Sequence, residues 1–128
     1  MTQLPQISES ELELMKIIWE NNGFSLYAGI MDQLQNKGVG WKKNTVLTFL
    51  SRLVDKKMLS IAKIGRRNEY KALVSETEYH TDQTKRFVEK VYSGKVSGLV
   101  NMLVNGDFVT KEDIEMLSKL WEGSKAGE

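Results

Sequence analysis

Apolar side chains at helical spacing predict two helices in the first 40 residues. Ser8 and Glu11 form a capping box that opens the first helix. Ser25 is placed to cap a shorter second helix, which ends at Lys37 and Gly38. The apolar positions of the first helix fall on two faces, one with Leu12, Met15 and Trp19 and the other with Leu14, Ile17 and Ile18. We therefore expect the first helix to pack on two sides.

A third helix is predicted from Lys43 to Lys57. Its buried face follows the i, i+3, i+4, i+7 spacing and consists of Val46, Phe49, Leu50 and Leu53. From Ile61 the spacing changes to two, which predicts two short strands, the second ending at Ala72, about a polar turn at Arg66-Arg67-Asn68. Three helices followed by a β-hairpin is the order of a winged helix-turn-helix domain.

The residues from Ser75 onward predict a second, helical domain. Ser75 and Glu78 form another capping box, and three short apolar stripes follow, with breaks at Ser93-Gly94 and Asn105-Gly106-Asp107. Helices of about ten residues depend on tertiary burial, so we expect a partner chain, and a two-fold dimer is the commonest closed assembly. The predicted dimer contacts are Phe87, Val91, Leu99, Val100, Leu103, Ile114, Leu117, Leu120 and Trp121.

The predicted fold class is therefore mostly α. A winged helix-turn-helix domain, with three helices and a β-hairpin wing, occupies residues 1–74, and a three-helix dimerisation domain occupies residues 75–128. A chain of 128 residues with 41% apolar side chains can bury one modest core or two small cores that support each other.

Composition excludes several kinds of site. The chain has no cysteine and one histidine, His80, which excludes disulfides, iron–sulfur clusters, thiolate metal sites and imidazole-rich metal sites. Its acid pairs, Glu11 with Glu13 and Glu112 with Asp113, lie in first helical turns, where acids favour the helix dipole. We therefore expect neither an enzyme nor a cofactor. No stretch is long and apolar enough to span a membrane, and the first five residues lack the features of a signal peptide, so we expect no membrane insertion and a cytoplasmic location.

Positive charge is concentrated in one part of the chain. The net charge is only +1, but residues 41–74 hold nine Lys and Arg against two Asp and Glu, a local charge of +7. Residues 1–40 and 75–128 each have a net charge of −3. A basic segment that covers a helix and a hairpin is typical of a surface that binds nucleic acid.

The exposed face of the third helix suits the major groove of DNA. Asn44, Thr48 and Ser51 point away from the apolar face, and Leu47 and Arg52 lie on its flanks. Asparagine can pair with adenine edges, and threonine offers a hydroxyl and a methyl group. The lysines that precede the helix and the two arginines of the hairpin can reach phosphates or a narrow minor groove.

Alternatives remain open for several of these residues. The polar helix face is also compatible with an ordinary solvated surface. Lys56 and Lys57 can complement the helix dipole or contact phosphates, and we do not count them as sites. Trp41 is a core anchor or, through its indole N–H, a phosphate contact. In a second functional class, the basic helix and hairpin would dock an acidic protein partner instead of DNA.

Four segments resemble the penicillinase repressors, the BlaI/MecI/CopY family, in the family's order and spacing. These segments are SESELELMKIIW at residues 8–19, TVLTFLSRL at 45–53, GRRNEY at 65–70 and YSGKVSGLVNML at 92–103. The resemblance implies a winged-helix domain, a C-terminal dimerisation domain and repression by binding palindromic operator DNA. With Thr45, which matches the family, the predicted DNA-binding residues are Lys42, Lys43, Asn44, Thr45, Leu47, Thr48, Ser51, Arg52, Arg66 and Arg67.

Two departures from the family limit what the resemblance implies. Leu47 stands where the family often has a basic residue, so the operator sequence does not carry over. The copper-responsive members bind Cu(I) through C-terminal cysteines, which this chain lacks.

In the antibiotic-responsive members a membrane-bound sensor protease triggers cleavage of the C-terminal helices. The matching segment here is Asn101-Met102-Leu103, and such a protease is a candidate partner.

Overall fold

The structure is a computed structural model that describes residues 4–126. The first and last residues of the two predicted domains, 1–3 and 127–128, lie outside the described residues. Two compact units are present, one up to Asp82 and the other from Gln83 onward. In the described residues the elements are α1 (Glu9–Glu20), β1 (Phe24–Leu26), α2 (Tyr27–Asn36), α3 (Lys43–Asp55), β2 (Leu59–Ile64), β3 (Arg67–Ala72), α4 (Glu76–Tyr92), α5 (Val96–Asn105) and α6 (Lys111–Ala126). The predicted mostly α fold is confirmed.

Both predicted capping boxes are present. At the start of α1 the Ser8 Oγ accepts a hydrogen bond from the Glu11 N–H at 3.1 Å, and the Glu11 Oε1 accepts one from the Ser8 N–H at 2.8 Å. At the start of α4 the same two bonds join Ser75 and Glu78, each at 3.1 Å. Each box satisfies N–H groups that have no partner within the helix and thereby fixes where the helix begins.

The prediction that Ser25 caps the second helix is wrong. Ser25 lies in β1, a strand that the sequence did not predict, and pairs with Tyr70 of β3. Its buried Oγ accepts a hydrogen bond from the Asn21 Nδ2 at 2.7 Å, so the hydroxyl serves the α1–β1 turn. The N-cap of α2 is Leu26, which makes no side-chain capping bond. A strand of three residues is too short to show an alternating pattern.

The predicted hairpin is confirmed, but its turn is placed differently. The strands β2 and β3 pair from Leu59↔Ala72 to Ile64↔Arg67, so the connection is the two-residue loop Gly65-Arg66. Gly65 has φ +65, and a glycine with positive φ at the first central position is characteristic of a type II′ hairpin turn. Arg67, predicted in the turn, therefore begins β3. With β1 the sheet has the order β1-β3-β2.

The core of the first unit lies between α1, α2, α3 and the sheet. Fully buried side chains come from every layer, and they include Leu14, Ile17, Ile18, Ile30, Val46, Leu50, Leu53 and Met58. Trp41 is partly buried and packs edge-on against Phe49, with ring centroids 5.3 Å apart, which favours the core-anchor alternative for its indole. The helix α3 ends at Asp55, two residues before the predicted end, because Lys57 adopts a left-handed backbone with φ 62.

One carboxylate is buried in this unit. Glu11 is 2% exposed, and its Oε1 lies 2.8 Å from the Nζ of Lys56, the C-cap residue of α3. Burial pushes the pKa of the Glu11 carboxyl up, but the hydrogen bonds from Lys56 and Ser8 outweigh burial, and the pKa lies below its ordinary value of 4.5. This ion pair is a further role for Lys56, beside the dipole contact and the phosphate contact that the sequence left open.

The first compact unit extends past the domain boundary that we predicted after Val74. The first turns of α4 belong to it, because the buried ring of Tyr79 lies 5.6 Å from the ring of Trp19. The Leu4 N–H also donates to the Asp82 Oδ1 at 3.3 Å. The functional division into a DNA-binding and a dimerisation domain stays a prediction.

The second unit contains the end of α4, α5 and α6. The rings of Phe87 and Tyr92 pack edge-on at 5.7 Å, and a Cβ added at Gly98 would lie 2.9 Å from the Tyr92 ring, so α5 approaches that ring closely at a glycine. No residue of α5 is buried, and every described side chain of α6 is exposed. Within residues 4–126, no helix combines the length and apolar character needed to cross a bilayer.

We predict that Lys56→Met lowers the free energy of unfolding by about 2 kcal/mol, because it leaves the Glu11 carboxylate buried without its counter-charge. The estimate is modest because the Lys56 side chain is 33% exposed. Since the folded pKa of Glu11 is lowered, the ion pair stabilises the fold fully above pH 4.5, and this contribution is lost as the pH falls through the folded pKa. Urea unfolding at neutral and acidic pH measures both effects.

Lys57→Met is the matched control for this prediction. Lys57 is the adjacent lysine, is exposed and makes no ion pair among the described residues. Its replacement should change the free energy of unfolding by less than about 0.5 kcal/mol. Equal losses in the two variants would contradict the assignment of Lys56 to Glu11.

Candidate nucleic-acid interface

The predicted base-reading residues lie on the solvent side of α3. Asn44, Thr48 and Ser51 are exposed, while Val46 and Leu50 on the opposite side are fully buried. The other predicted residues of this region surround that face: Lys42 is the N-cap of α3, Lys43, Thr45 and Arg52 are exposed, and Leu47 is half-buried. The helical spacing thus separated the two faces correctly.

A cavity of about 550 Å³ brings α3 together with the wing, which is the β2–β3 hairpin. We call it the wing cleft. Lys43 and Leu47 line it from α3, and Arg66, Arg67 and Asn68 line it from the wing. Predicted residues from two elements that are separate in the sequence, α3 and the wing, therefore face one space. The remaining lining residues are Leu26, Tyr27 and Ala28.

The wing cleft is positively charged. Three of its lining residues are cations, Lys43, Arg66 and Arg67, and none of its lining residues in the described part of the chain is acidic. Ion pairs elsewhere in the first unit join Lys16 to Glu13, Lys37 to Glu20 and Lys56 to Glu11, and the three cleft cations take part in no ion pair of the described residues. Cations that converge without a counter-ion repel one another, and an anion bound between them would relieve that repulsion.

The N-terminus of α2 lies at the same cleft. Tyr27 and Ala28 are its first two residues, and the N-cap residue Leu26 offers no side-chain hydrogen bond. The first N–H groups of a helix have no intrahelical partner, and the helix dipole places partial positive charge there. Neither residue is among those predicted from the sequence, where Ser25 was expected to cap this helix. A helix N-terminus beside three cations adds to the positive potential of the cleft.

The Thr48 hydroxyl is not free to donate a hydrogen bond to a base. Its hydroxyl donates to the backbone carbonyl of Asn44 at 2.8 Å, one helical turn earlier. The donor is therefore engaged within α3, which leaves the methyl group and the oxygen lone pairs to face outward. A methyl group is the complement of the thymine C5-methyl in the major groove.

A second surface, which we call the apolar face, lies in the second unit. Seven of the nine predicted dimer residues on it are between 47% and 65% exposed, whereas Leu99 and Leu103 are half-buried. The seven are Phe87, Val91, Val100, Ile114, Leu117, Leu120 and Trp121. Large apolar side chains that remain this exposed are characteristic of an interaction site. The dimer contacts themselves stay a prediction.

Comparison with known proteins identifies relatives over nearly the whole chain. The family profile described as "Penicillinase repressor" matches residues 7–123. The chain is 30% identical to the penicillinase repressor of Bacillus licheniformis over 98% of this chain and 96% of that protein. It is 29% identical to the methicillin resistance regulatory protein MecI of Staphylococcus aureus strain N315, over 90% of this chain and 92% of that protein.

Two solved structures resemble part of the chain. One is the solution structure of the DNA-binding domain of the repressor BlaI, with a TM-score of 0.53 and 35% identity over 62% of this chain and 94% of that chain. The other is the monomeric form of Bacillus licheniformis BlaI in complex with the blaP half-operator, with a TM-score of 0.52, 35% identity and the same coverage.

We predict that Thr48→Val leaves duplex DNA binding within about twofold of wild type, whereas Thr48→Ser weakens it about fourfold for each half-site bound, the value of one buried methyl group. The reason is that valine keeps the methyl group and loses a hydroxyl that already bonds Asn44, while serine keeps the hydroxyl and loses the methyl. Fluorescence anisotropy on a duplex selected by the wild-type chain measures both.

Replacing thymine by uracil in that duplex is the control, because it removes the partner methyl group. The difference between wild type and Thr48→Ser should then disappear. Weak binding by Thr48→Val together with unchanged binding by Thr48→Ser would show that the hydroxyl makes the contact instead.

Proposed function

The chain belongs to the penicillinase repressor family, and on this premise we propose that it binds a palindromic operator as a homodimer and represses transcription from it. A winged-helix DNA-binding repressor is what the family and the BlaI structures support directly. The palindrome, the homodimer and the residue contacts are our proposal, as is a cytoplasmic location.

The observation that carries this proposal is the wing cleft. Lys43 of α3 and Arg66 and Arg67 of the wing line one cavity, and none of them is engaged in an ion pair among the described residues. A duplex offers a regular array of phosphates to such a cleft, and phosphate contacts fix the register of a protein on DNA. The cleft also adjoins the exposed face of α3, so phosphate binding would place that face in the adjacent groove.

In the proposed complex α3 lies in the major groove. Its 13 residues give it a length of about 20 Å, sufficient to cross the groove. Asn44, Thr48 and Ser51 face base edges, and Leu47 at the rim of the cleft is placed to touch a thymine methyl. The positioning contacts to the backbone and minor groove come from Lys42, Lys43, Thr45, Arg52, Arg66 and Arg67.

The apolar face supports the dimer. Leu120 and Trp121 are 63% and 65% exposed, and covering such side chains with a second copy removes apolar area from water. Two half-sites bound through one dimer gain affinity from effective concentration, so dimerisation is the natural quantity to regulate. We propose release from DNA by cleavage or destabilisation of the second unit, with Asn101-Met102-Leu103 of α5 as the candidate segment and a membrane-bound sensor protease as the candidate partner.

Selection from a random duplex library tests the proposal. The full-length chain should enrich an inverted repeat whose half-sites are about one helical turn, or 34–36 Å, apart. Absence of any enrichment at moderate salt would contradict operator binding and favour the alternative of an acidic protein partner for the basic surface.

We predict that Arg66→Ala combined with Arg67→Ala weakens duplex binding by at least about tenfold, because each arginine supplies a charge-assisted hydrogen bond to phosphate. The bound homodimer carries four of these arginines, so the slope of log K against log salt should become shallower by about 4. Anisotropy titrations between 50 and 200 mM salt, on the selected repeat and on a scrambled duplex, give both quantities, and the loss should be similar for the two duplexes.

The matched control is Lys90→Ala combined with Lys111→Ala, which removes the same charge from exposed positions of the second unit. This variant should keep the wild-type salt slope. The wing has no place in the interface if the arginine variant keeps that slope too.

We also predict that Leu117→Glu yields a monomer in sedimentation velocity, because a carboxylate in the apolar face would be buried without a partner. Lys119→Gln is the control, since it changes the net charge by the same amount on another side of α6. The wild-type chain and Lys119→Gln should both be dimers. Monomeric wild-type chain at micromolar concentration would contradict the dimer.

A further inference from the structure

The ion pair between Glu11 and Lys56 joins two ends of the DNA-binding unit. Glu11 lies in the first turn of α1, and Lys56 is the C-cap of α3, 45 positions later in the chain. The Glu11 Oε1 accepts hydrogen bonds from both the Ser8 N–H and the Lys56 Nζ, each at 2.8 Å. The Oε2 is buried and has no hydrogen-bond partner among the described residues, so the Lys56 contact alone supplies the counter-charge.

Lys56 also stands where α3 passes into the wing. The Lys57 and Met58 N–H groups donate to the Val54 and Leu53 carbonyls, which closes the end of the helix. The strand β2 begins at Leu59, and the Met58 carbonyl accepts from the Leu73 N–H beyond the end of β3. The residue held by Glu11 is therefore at the common root of the α3 face and the wing.

A small rotation at this root is magnified at the other end of α3. With a length of about 20 Å, a tilt of roughly 10° about the C-terminal end displaces the first turn by about 3 Å. Hydrogen bonds tolerate a spread of only about 0.5 Å in length, so base contacts from Asn44 would be lost. The same rotation would change the separation of Lys43 from Arg66 across the wing cleft.

We propose that Glu11 and Lys56 are positioning residues for operator recognition, whose ion pair fixes the angle of α3 and of the wing root relative to α1. This rests on the proposed function. A buried ion pair is weak evidence of a role in stability, because well-packed uncharged side chains of similar size stabilise a core equally well. Its directional contact instead specifies one arrangement of the two helices, whereas apolar packing tolerates sliding.

The double variant Glu11→Gln with Lys56→Met tests this. Glutamine preserves the capping box, methionine preserves the length of the apolar stem, and the net charge of the chain is unchanged. No charge is left buried, so the variant should fold. Lys57→Met is the control for the loss of a basic side chain at the same helix end. Thermal melts identify an assay temperature at which every variant is folded. If the double variant melts below that temperature, Glu11→Gln alone replaces it in the assay. The unpaired Lys56 side chain can then extend into water, so this single variant leaves no charge buried.

Affinities are measured by anisotropy for the inverted repeat enriched by the wild-type chain and for a scrambled duplex of the same composition. The double variant should lose about tenfold in the ratio of the two affinities, the equivalent of one mismatched base pair. Its affinity for the scrambled duplex and its salt slope should match wild type, and Lys57→Met should retain the wild-type ratio. A purely structural role would lower the melting temperature and leave the ratio unchanged.

An unchanged ratio in a folded variant would therefore overturn the proposal. A salt slope shallower by about 2, one unit for each protomer of the dimer, would also overturn it, because it would show that Lys56 contacts a phosphate. A tenfold loss in Lys57→Met as well would overturn it too. Failure of the wild-type chain to distinguish the two duplexes would instead contradict the proposed function.

Discussion

The first unit depends on the burial of α1 on two sides. Leu14, Met15, Ile17 and Ile18 of this helix have no exposed surface, and the helix contacts α2, α3, β1 and β3. Because these elements pack on one central helix, each turns one side inward and leaves the other in solvent. The outer side of α3 and the wing are consequently displayed together. Glu11 belongs to the same helix, so the ion pair that reaches the end of α3 starts from the helix on which the other elements pack.

The two units carry two different kinds of unfavourable exposed surface. In the first, the cleft cations Lys43, Arg66 and Arg67 share one cavity whose described lining contains no acidic residue. In the second, apolar side chains such as Trp121 lie in water. A polyanion relieves the first cost and a second copy of the chain relieves the second. The proposed function satisfies both, since a dimer on a palindrome covers the apolar face and neutralises two clefts at once.

The sequence predicted the parts of the fold that local spacing determines and missed the parts that depend on distant neighbours. Capping boxes and the two faces of α3 were correct because each is set within one or two helical turns. The strand β1 was missed because three residues carry no period, and Ser25 was assigned as a cap as a result. The wing turn was predicted too late in the chain, because the polar run Arg66-Arg67-Asn68 was taken as the turn. The turn begins instead at Gly65, whose positive φ allows a two-residue loop.

The same distinction holds for the site. The clustering of charge between residues 41 and 74 indicated a nucleic-acid surface, but the contribution of Tyr27 to the cleft follows from the tertiary arrangement. Glu11 looked like an ordinary first-turn acid, and its burial against Lys56 needs a contact 45 positions away.

The most direct test of the account is an NMR titration of the isotopically labelled chain with the selected repeat. The largest amide shifts should lie in residues 42–52, 65–68 and at Tyr27 and Ala28; shifts confined to α5 and α6 would contradict it.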